Sequence, residues 1–322
     1  MENLQLLENL KNSGLDYEFF NENQFPIVLK NTNAMMLENW IQDNKLLFSD
    51  MLTVFGAILL RDFKINTISK FEKFTGIFED SSLEYKFRSS PRFAVGSNVY
   101  TSTSHPKEYK IYMHSEGSYN PNNHPTKIVF CCLQPAEKGG ETPIADNRRV
   151  LKRLRQSTVD TFLERGVCYK RNINQYAGLT WQEVFQTTSK ETVEEQCKED
   201  NVQLKWISED ALELLWTKKP IWEHPVSKEY VWFSHVSFFN KHILSKFGAE
   251  NIFDENTSPY NTLYGDKEQI QEEIIDEIIN AYEEESVYFP WQKGDVLFLD
   301  NMLSAHGRNS YEGKRKVITS LF

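Results

Sequence analysis

The chain has 322 residues, of which 40% are hydrophobic and 13% aromatic, and it carries a formal net charge of −10. The hydrophobic content is ample for a buried core, and the length suits one large domain or two small ones. The negative charge argues against nucleic acid as a partner, because phosphate binding needs a basic face.

The sequence offers no membrane or export signal. No apolar run reaches membrane-spanning length, and the opening segment 1–14 lacks the basic and apolar regions of a signal peptide. That segment fits a short amphipathic helix instead. The four cysteines have no CxxC spacing and fit buried, reduced thiols: Cys131, Cys132, Cys168 and Cys197. We therefore expect a cytoplasmic protein with no membrane partner.

Three short apolar runs predict buried strands. They cover residues 51–63, 129–133 and 295–299, and each is bounded by polar residues. Lys293-Gly294-Asp295 predicts a turn immediately before the last of them. A run of this kind over 51–63 is also compatible with a helix, because continuous hydrophobicity carries no period.

Two charged segments predict helices. Residues 189–200 have a solvated charged face and begin with Ser189, a good N-cap residue. Residues 267–285 place their isoleucines on one stripe, so this helix is expected to pack on the core. Many short strands with helices gathered between them indicate a single α+β domain.

The tripeptide His114-Ser115-Glu116 is the first candidate for chemistry. Residues i and i+2 of a strand project from the same face, and the preceding Ile111-Tyr112-Met113 suits a strand. An imidazole and a carboxylate would then point into one space. The same tripeptide on a solvated surface strand would have no function.

A distant histidine gives the tripeptide a partner. His306 stands in the segment DNMLSAHGR, residues 300–308. Two histidines and one carboxylate form the facial triad of non-haem Fe(II) oxygenases, which leaves coordination positions for a cosubstrate and O₂. His114, Glu116 and His306 are therefore the candidate metal ligands and catalytic residues.

Both segments resemble a known enzyme family. Residues 99–150 and 289–318 are similar to the Fe(II)/2-oxoglutarate dioxygenases of the taurine dioxygenase and clavaminate synthase superfamily. They are most similar to its branch typified by the syringomycin biosynthetic hydroxylase. The resemblance covers roughly residues 90–320 and implies a distorted double-stranded β-helix (jelly roll) with flanking helices. It places a single dioxygenase domain over 1–322, with N-terminal helices and strands in 1–90.

The resemblance also implies a metal-binding core over 91–322, with a helical insertion at about 180–285, and it implies the cosubstrate site. Thr142, in the segment GGET, matches a threonine that contacts 2-oxoglutarate, and Arg315 matches the arginine that binds its far carboxylate. An arginine fork binds a carboxylate through two parallel hydrogen bonds, so the residue types suit a five-carbon diacid. Arg308 lies nearby, so the roles of the two arginines are open to exchange.

Further polar residues are candidates for the substrate pocket or for support of the ligands. Arg308 suits a substrate carboxylate or a brace, and His235 suits the pocket or simple packing. Asn98 and Ser118 enter only through the resemblance. Asp300 is predicted to accept a hydrogen bond from His306, since a metal-bound imidazole usually has an acceptor for its other N–H. His105, His124 and His224 are assigned to turns or loops beside proline.

The function expected is that of an Fe(II)- and 2-oxoglutarate-dependent dioxygenase. The resemblance suggests hydroxylation, in secondary metabolism, of an unactivated C–H bond of an amino acid or amino-acid derivative, free or tethered to a carrier protein. Glu116 argues against the related halogenases, which have a small residue there. Desaturation or cyclisation would use the same residues. A non-catalytic metal-binding jelly-roll protein and a zinc hydrolase are the alternatives from other classes.

Overall fold

The computed structural model describes residues 2–33, 35–78, 94–96, 98–101, 105–174, 178–246 and 258–322. Its helices are α1 (Glu2–Asn12), α2 (Leu37–Asp43), α3 (Lys45–Phe55), α4 (Ile68–Thr75), α5 (Asn147–Arg153), α6 (Gln156–Arg165), α7 (Trp181–Phe185), α8 (Lys190–Glu199), α9 (Val236–Phe239), α10 (Lys241–Ser245) and α11 (Glu272–Glu285). None of these helices, within the ranges just given, is both long and apolar enough to cross a membrane.

The first strands are β1 (Asp16–Phe19), β2 (Ile27–Lys30), β3 (Ala57–Arg61), β4 (Ala94–Gly96), β5 (Val99–Thr101), β6 (Ile111–His114), β7 (Lys127–Gln134), β8 (Lys138–Gly139), β9 (Ile144–Asp146) and β10 (Val167–Ile173). The later strands are β11 (Gln203–Trp206), β12 (Leu212–Lys218), β13 (Ile221–Glu223), β14 (Tyr230–Trp232), β15 (Tyr260–Tyr264), β16 (Val296–Asp300), β17 (Ser304–Arg308), β18 (Tyr311–Glu312) and β19 (Lys316–Leu321). Helices and strands alternate irregularly, as expected for an α+β protein.

The largest sheet has eight strands in the order β1-β2-β3-β16-β7-β19-β5-β4. Its central strands β7 and β16 are the predicted apolar runs at 129–133 and 295–299, and both are covered on two faces. Adjacent residues of β7 therefore enter different cores. Cys131 packs in the cluster with Phe298, whereas Cys132 packs in the cluster with Leu297. All four cysteines are buried and free.

The N-terminal helices cover one face of this sheet through aromatic contacts. Phe48 of α3 and Phe74 of α4 both meet Phe298 edge-on, with ring centroids 5.1 Å and 6.4 Å away. Such pairs add to the burial of the rings themselves.

The apolar run at 51–63 is a helix followed by a strand, so the prediction of one continuous strand is wrong. Helix α3 ends at Phe55, and Gly56 adopts a left-handed conformation with φ 72°. Its N–H donates to Leu52 O at 2.8 Å, which closes the helix before β3 begins at Ala57. Hydrophobic composition alone did not reveal the break, but glycine is the residue that a left-handed helix end favours.

A smaller sheet of three strands has the order β6-β17-β9. It shares a core with the inner face of the large sheet, where Ile144 of β9 packs with Phe130, Leu297 and the aromatic residues Phe289 and Trp291.

The segment at about 180–285 holds five strands besides its helices, so the prediction of a helical insertion was incomplete. Strands β11, β12 and β15 join β10 in a four-stranded antiparallel sheet of order β11-β12-β10-β15. In β12, Leu212, Leu214 and Trp216 are buried and alternate with partly exposed residues. A period of two is typical of a half-buried strand, and it is visible in the sequence of β12.

Both predicted charged helices exist. Helix α8 is capped by Ser189, whose hydroxyl accepts the Thr192 N–H, as expected. Helix α11 begins at Glu272 rather than at 267, because Lys267 has a φ of 72° and its N–H closes a turn onto Tyr264 O.

Candidate active site

Two of the three predicted ligands lie opposite each other in the small sheet. His114 ends β6, and His306 is the third residue of β17; their Cα atoms are direct partners in the antiparallel register. Their ring centroids are 4.5 Å apart. Strand pairing alone therefore brings together two residues separated by nearly two hundred positions.

The third predicted ligand, Glu116, does not lie on the strand. Strand β6 stops at His114, and Glu116 belongs to the turn that follows. Gly117 next to it has a φ of 63°, and a Cβ there would lie 3.1 Å from Pro125 Cδ. The strand-alternation argument for the His-x-Glu pair is therefore wrong, although the two side chains do meet.

The three side chains form a cluster suited to a metal ion. Each of His114, Glu116 and His306 offers a ligand atom, and these atoms lie within 4.8 Å of one another. His114 Nδ1 is 2.9 Å from Tyr112 O, the kind of contact that a metal-binding imidazole makes through its other nitrogen. Two imidazoles and one carboxylate fit Fe(II) by ligand type, and three protein ligands leave coordination positions for other groups.

Aromatic rings surround the two histidines. Phe238 of α9 lies 4.6 Å from the His114 ring, and Phe130 of β7 lies 5.0 Å from the His306 ring, measured between centroids. These rings exclude water from two sides of the cluster and strengthen electrostatic interactions within it.

His235 completes this wall. Its ring is 5.5 Å from that of His114, and Nδ1 lies 2.6 Å from Ser118 Oγ, so both predicted residues are close to the cluster. Burial, with a smaller contribution from the charge of His114, holds the pKa of His235 well below its ordinary value of 6.5. The ring is therefore neutral at physiological pH.

The two residues predicted for 2-oxoglutarate contact each other. Arg315 donates from Nη2 to Thr142 Oγ1 at 3.2 Å and from Nε to Gly140 O at 2.8 Å. Thr142 Oγ1 also accepts from Trp291 Nε1 at 3.1 Å, a neighbour that the sequence did not single out. Burial and the nearby charge of Arg308 lower the pKa of Arg315 to about 10. The guanidinium is charged at neutral pH and poor in solvent, which suits an anion.

Thr142 is connected through backbone contacts to the strand that carries His306. Ile144 of β9 is the register partner of His306, and Gly307 N–H donates to Pro143 O at 3.0 Å. The segment that carries Thr142 therefore runs alongside the distal histidine.

Arg308 is buried and holds the segment before β6. Its guanidinium donates to three main-chain carbonyls, those of His105 (2.8 Å), Pro106 (2.6 Å) and Tyr109 (2.6 Å). Within the described ranges its Nε–H is buried without a hydrogen-bond partner. Arg308 thus braces this segment.

Asp300 does not support His306 as predicted. Its Oδ1 accepts the N–H groups of Met302 (2.9 Å) and Leu303 (3.0 Å), and its Oδ2 lies 3.2 Å from His224 Nε2. The carboxylate therefore stabilises the turn that leads into β17. Short-range turn geometry took precedence over a contact six residues along the chain.

The neighbouring Asn301 is a residue that the sequence did not single out, yet its side chain hydrogen-bonds the main chain of Glu116.

Among the other predicted residues, Asn98 has a φ of 54°, and its carbonyl accepts from Ser320 Oγ at 2.9 Å. His105 and His124 lie in loops, as expected.

Comparisons with known proteins show the family of the chain. The family model described as "Taurine catabolism dioxygenase TauD, TfdA family" matches residues 32–321. The dapdiamide synthesis protein DdaC of Enterobacter agglomerans is 35% identical over 281 residues, which cover 84% of this chain and 83% of that protein. A clavaminate synthase-like protein of Arabidopsis thaliana is 27% identical over 292 residues, covering 87% and 86%.

Solved structures share the fold. A complex of AAD-2 with Mn(II) and N-oxalylglycine matches with a TM-score of 0.57 at 12% identity, over 95% of this chain and 96% of that one. PvcB, described as an Fe, alpha-ketoglutarate dependent oxygenase from an isonitrile synthetic pathway, matches with a TM-score of 0.53 at 13% identity, over 96% and 91%.

These matches exclude the non-catalytic jelly-roll protein and the zinc hydrolase that the sequence left open. The sequence predicts a small-molecule substrate, O₂, Fe(II) and 2-oxoglutarate, and the family match agrees with all four. The chain belongs to the TauD/TfdA family and is an Fe(II)- and 2-oxoglutarate-dependent oxygenase.

Proposed function

We propose that the chain hydroxylates an unactivated C–H bond of an amino acid or amino-acid-derived small molecule, with His114, Glu116 and His306 as the iron ligands. The observation that carries this is the cluster itself, whose three ligand atoms lie within 4.8 Å of one another. Bound Fe(II) and 2-oxoglutarate would supply the oxidising chemistry together with O₂: the cosubstrate loses CO₂ and gains one oxygen atom to become succinate, and the substrate gains the other oxygen atom.

Arg315 and Thr142 bind the far carboxylate of 2-oxoglutarate in this proposal. The arginine brings a charge in a dry setting, and the threonine hydroxyl, 3.2 Å from Nη2, fixes the direction of the fork. Trp291 Nε1 also donates to this hydroxyl oxygen, at 3.1 Å. A buried cation with fixed donors binds a carboxylate more strongly than one in water.

His235, Arg308 and Asn98 contact the substrate. His235 presents a neutral ring beside His114, and Arg308 keeps a buried Nε–H that has no partner in the described residues. An amino-acid carboxylate would satisfy that donor. The similarity to DdaC, a dapdiamide synthesis protein, supports a small substrate of secondary metabolism, free or delivered by a carrier protein.

Desaturation or cyclisation is the second candidate, because it needs the same ligands and the same cosubstrate. Halogenation is disfavoured, because Glu116 fills the position that a halide would need. We further propose that the eight-stranded and three-stranded sheets are the two sheets of a jelly roll, in one domain over 1–322. The core that Ile144 shares with Phe130 and Leu297 supports this.

Two measurements test the proposal. Anaerobic addition of Fe(II) and then 2-oxoglutarate should produce a weak visible charge-transfer band that Arg315→Ala shifts to higher cosubstrate concentration. A screen of amino acids and their derivatives should then find compounds that stimulate succinate release and gain one oxygen atom. A product lacking two hydrogens, with no added oxygen, would favour the second candidate. Absence of the band at saturating concentrations would refute the iron-ligand assignment.

A further inference from the structure

The side chain of Asn301 brackets the main chain of Glu116. Its Oδ1 accepts the Glu116 N–H at 2.8 Å, and its Nδ2 donates to Glu116 O at 2.8 Å. The same Nδ2 donates to Pro125 O at 2.7 Å. One fully buried amide therefore satisfies both polar groups of the Glu116 main chain and ties them to the far arm of the same loop.

This bracket takes the place of strand pairing. His114 and His306 are held by the ladder between β6 and β17, but Glu116 lies beyond the last residue of β6. A carboxylate in a turn keeps its direction only if its φ and ψ are fixed by other contacts. Bonds to the N–H and the C=O of the same residue restrict both angles, and so aim the Cα–Cβ bond.

Asn301 is itself held firmly. Its N–H donates to Thr126 O at 2.9 Å, and Asp300 closes the turn around it by accepting the N–H groups of Met302 and Leu303. The next strand, β17, carries His306. Asn301 thus joins the segment with the carboxylate to the segment with the distal histidine.

We propose that Asn301 is a positioning residue that holds the Glu116 carboxylate at the metal site without touching the metal. This inference rests on the proposed role of Glu116 as an iron ligand. Partners that orient a metal ligand contribute roughly ten- to a hundredfold to metal affinity. Loss of the bracket should weaken metal binding by that factor, independently of any effect on folding.

The chain contains a matched control for the loss of such a bracket. Asn31 Oδ1 accepts the Met35 N–H at 2.8 Å, and Asn31 Nδ2 donates to Met35 O at 3.0 Å. This pair of bonds has the same pattern and follows β2, which β3 and β16 separate from β7 in the large sheet. Asn31→Ala removes two comparable hydrogen bonds and does not change the three candidate metal ligands or their neighbours.

The experiment measures Mn(II) binding by calorimetric titration of the full-length protein, beside the thermal midpoint of the metal-free protein. The variants are Asn301→Ala, Asn301→Asp, Glu116→Ala and Asn31→Ala. Asn301→Asp keeps the oxygen that accepts from Glu116 but turns a second oxygen towards the two carbonyls. It decides the matter if Asn301→Ala does not fold.

The expected result is a Kd for Mn(II) raised roughly ten- to a hundredfold in a folded Asn301 variant. Asn31→Ala should bind Mn(II) as the wild type does, even where its thermal midpoint falls. A wild-type Kd in Asn301→Ala or Asn301→Asp, together with weakened binding in Glu116→Ala, would overturn the positioning role alone. A wild-type Kd in Glu116→Ala would overturn the ligand assignment on which it rests.

Discussion

His114 and His306 are direct partners across the antiparallel pair of β6 and β17, so the spacing of the two imidazoles is a property of the strand register. A slip of one residue would turn one of the rings to the opposite face of the sheet. The register shifts between His306 and Arg308, which pairs with Ile111 at the other end of β6. The distance between the two imidazoles therefore depends on two short strands that the surrounding core must hold in place.

The first prediction concerns the two histidines. His114→Ala and His306→Ala should each abolish Fe(II)-dependent succinate release, because packing cannot replace a metal ligand. The far-ultraviolet circular dichroism of both variants should remain that of the folded protein. His242→Ala is the control, since His242 pairs with Asp276 on helix α11, outside the cluster. Wild-type activity in either ligand variant, at limiting Fe(II), would remove that residue from the site.

The second prediction separates the two arginines. Arg315→Ala should raise the 2-oxoglutarate concentration needed for half-maximal turnover by roughly ten- to a hundredfold, the effect of losing a charge-assisted fork. Arg308→Ala should instead lower the free energy of unfolding by about 1–3 kcal/mol, because it removes three hydrogen bonds from a charged donor to main-chain carbonyls. If Arg308→Ala changed the cosubstrate requirement and Arg315→Ala did not, the two roles would be exchanged.

The sequence predicted which residues meet at the site better than it predicted how they are held there. Residue types and a family resemblance predict His114, Glu116 and His306, and the structure brings them together. The strand argument that joined His114 to Glu116 was wrong, because the strand ends between them. Chain direction after a strand end is set by contacts with distant residues, and here Asn301 supplies them.

The sequence also did not predict which residues far apart in the chain contact each other. The contact between Thr142 and Trp291 joins segments that no local pattern relates. Asp300 was expected to serve His306 and serves its own turn instead. At Gly56 the cause of the wrong prediction is local: the glycine ends helix α3, but the apolar residues on both sides of it predict one continuous strand.

The third prediction tests Gly56 as the residue that ends α3. A Cβ there would lie 3.1 Å from Ser304 Oγ in a backbone with positive φ, so Gly56→Ala should destabilise by about 2–4 kcal/mol. Gly178→Ala is the control: its φ of 82° is equally unfavourable, but no atom of the part of the chain that the structure describes lies within 4 Å of the new Cβ. That variant should lose only about 1 kcal/mol. Equal losses in chemical denaturation would mean that backbone conformation, and not close packing, limits both sites.

The fourth prediction concerns pH and Lys218. Burial lowers the pKa of Lys218 to about 8, and its Nζ donates to Asn120 O. The neighbouring His124 has a pKa of about 4, chiefly through burial, so it is neutral above pH 7. Between pH 8 and the ordinary lysine range, the unfolded chain binds a proton that the folded one has lost, so stability rises with pH.

Comparison with Lys218→Met isolates this effect, because the other lysines titrate alike in both proteins. The difference in the free energy of unfolding, wild type minus variant, should increase by roughly 2 kcal/mol from pH 7 to pH 10. Urea denaturation at the two pH values measures the gain. A difference that stays constant with pH would mean that the Lys218 ammonium keeps its ordinary pKa in the folded protein.

The last prediction concerns the coordination position that we propose for Glu116. Glu116→Ala should open this position while His114 and His306 remain paired in the ladder between β6 and β17. Chloride or azide should then bind weakly to the anaerobic Fe(II)–2-oxoglutarate complex and shift its visible absorption band. Efficient halogenation is not expected, because the pocket must also hold the substrate at a tolerance that one substitution seldom reaches. Glu116→Gln, which keeps an oxygen at the same place, is the control and should bind less halide. If Glu116 is an iron ligand, as proposed, its carboxylate fills this position in the wild type, so neither the spectrum nor turnover should depend on halide. Chloride-stimulated turnover of the wild-type protein would show that Glu116 is not an iron ligand.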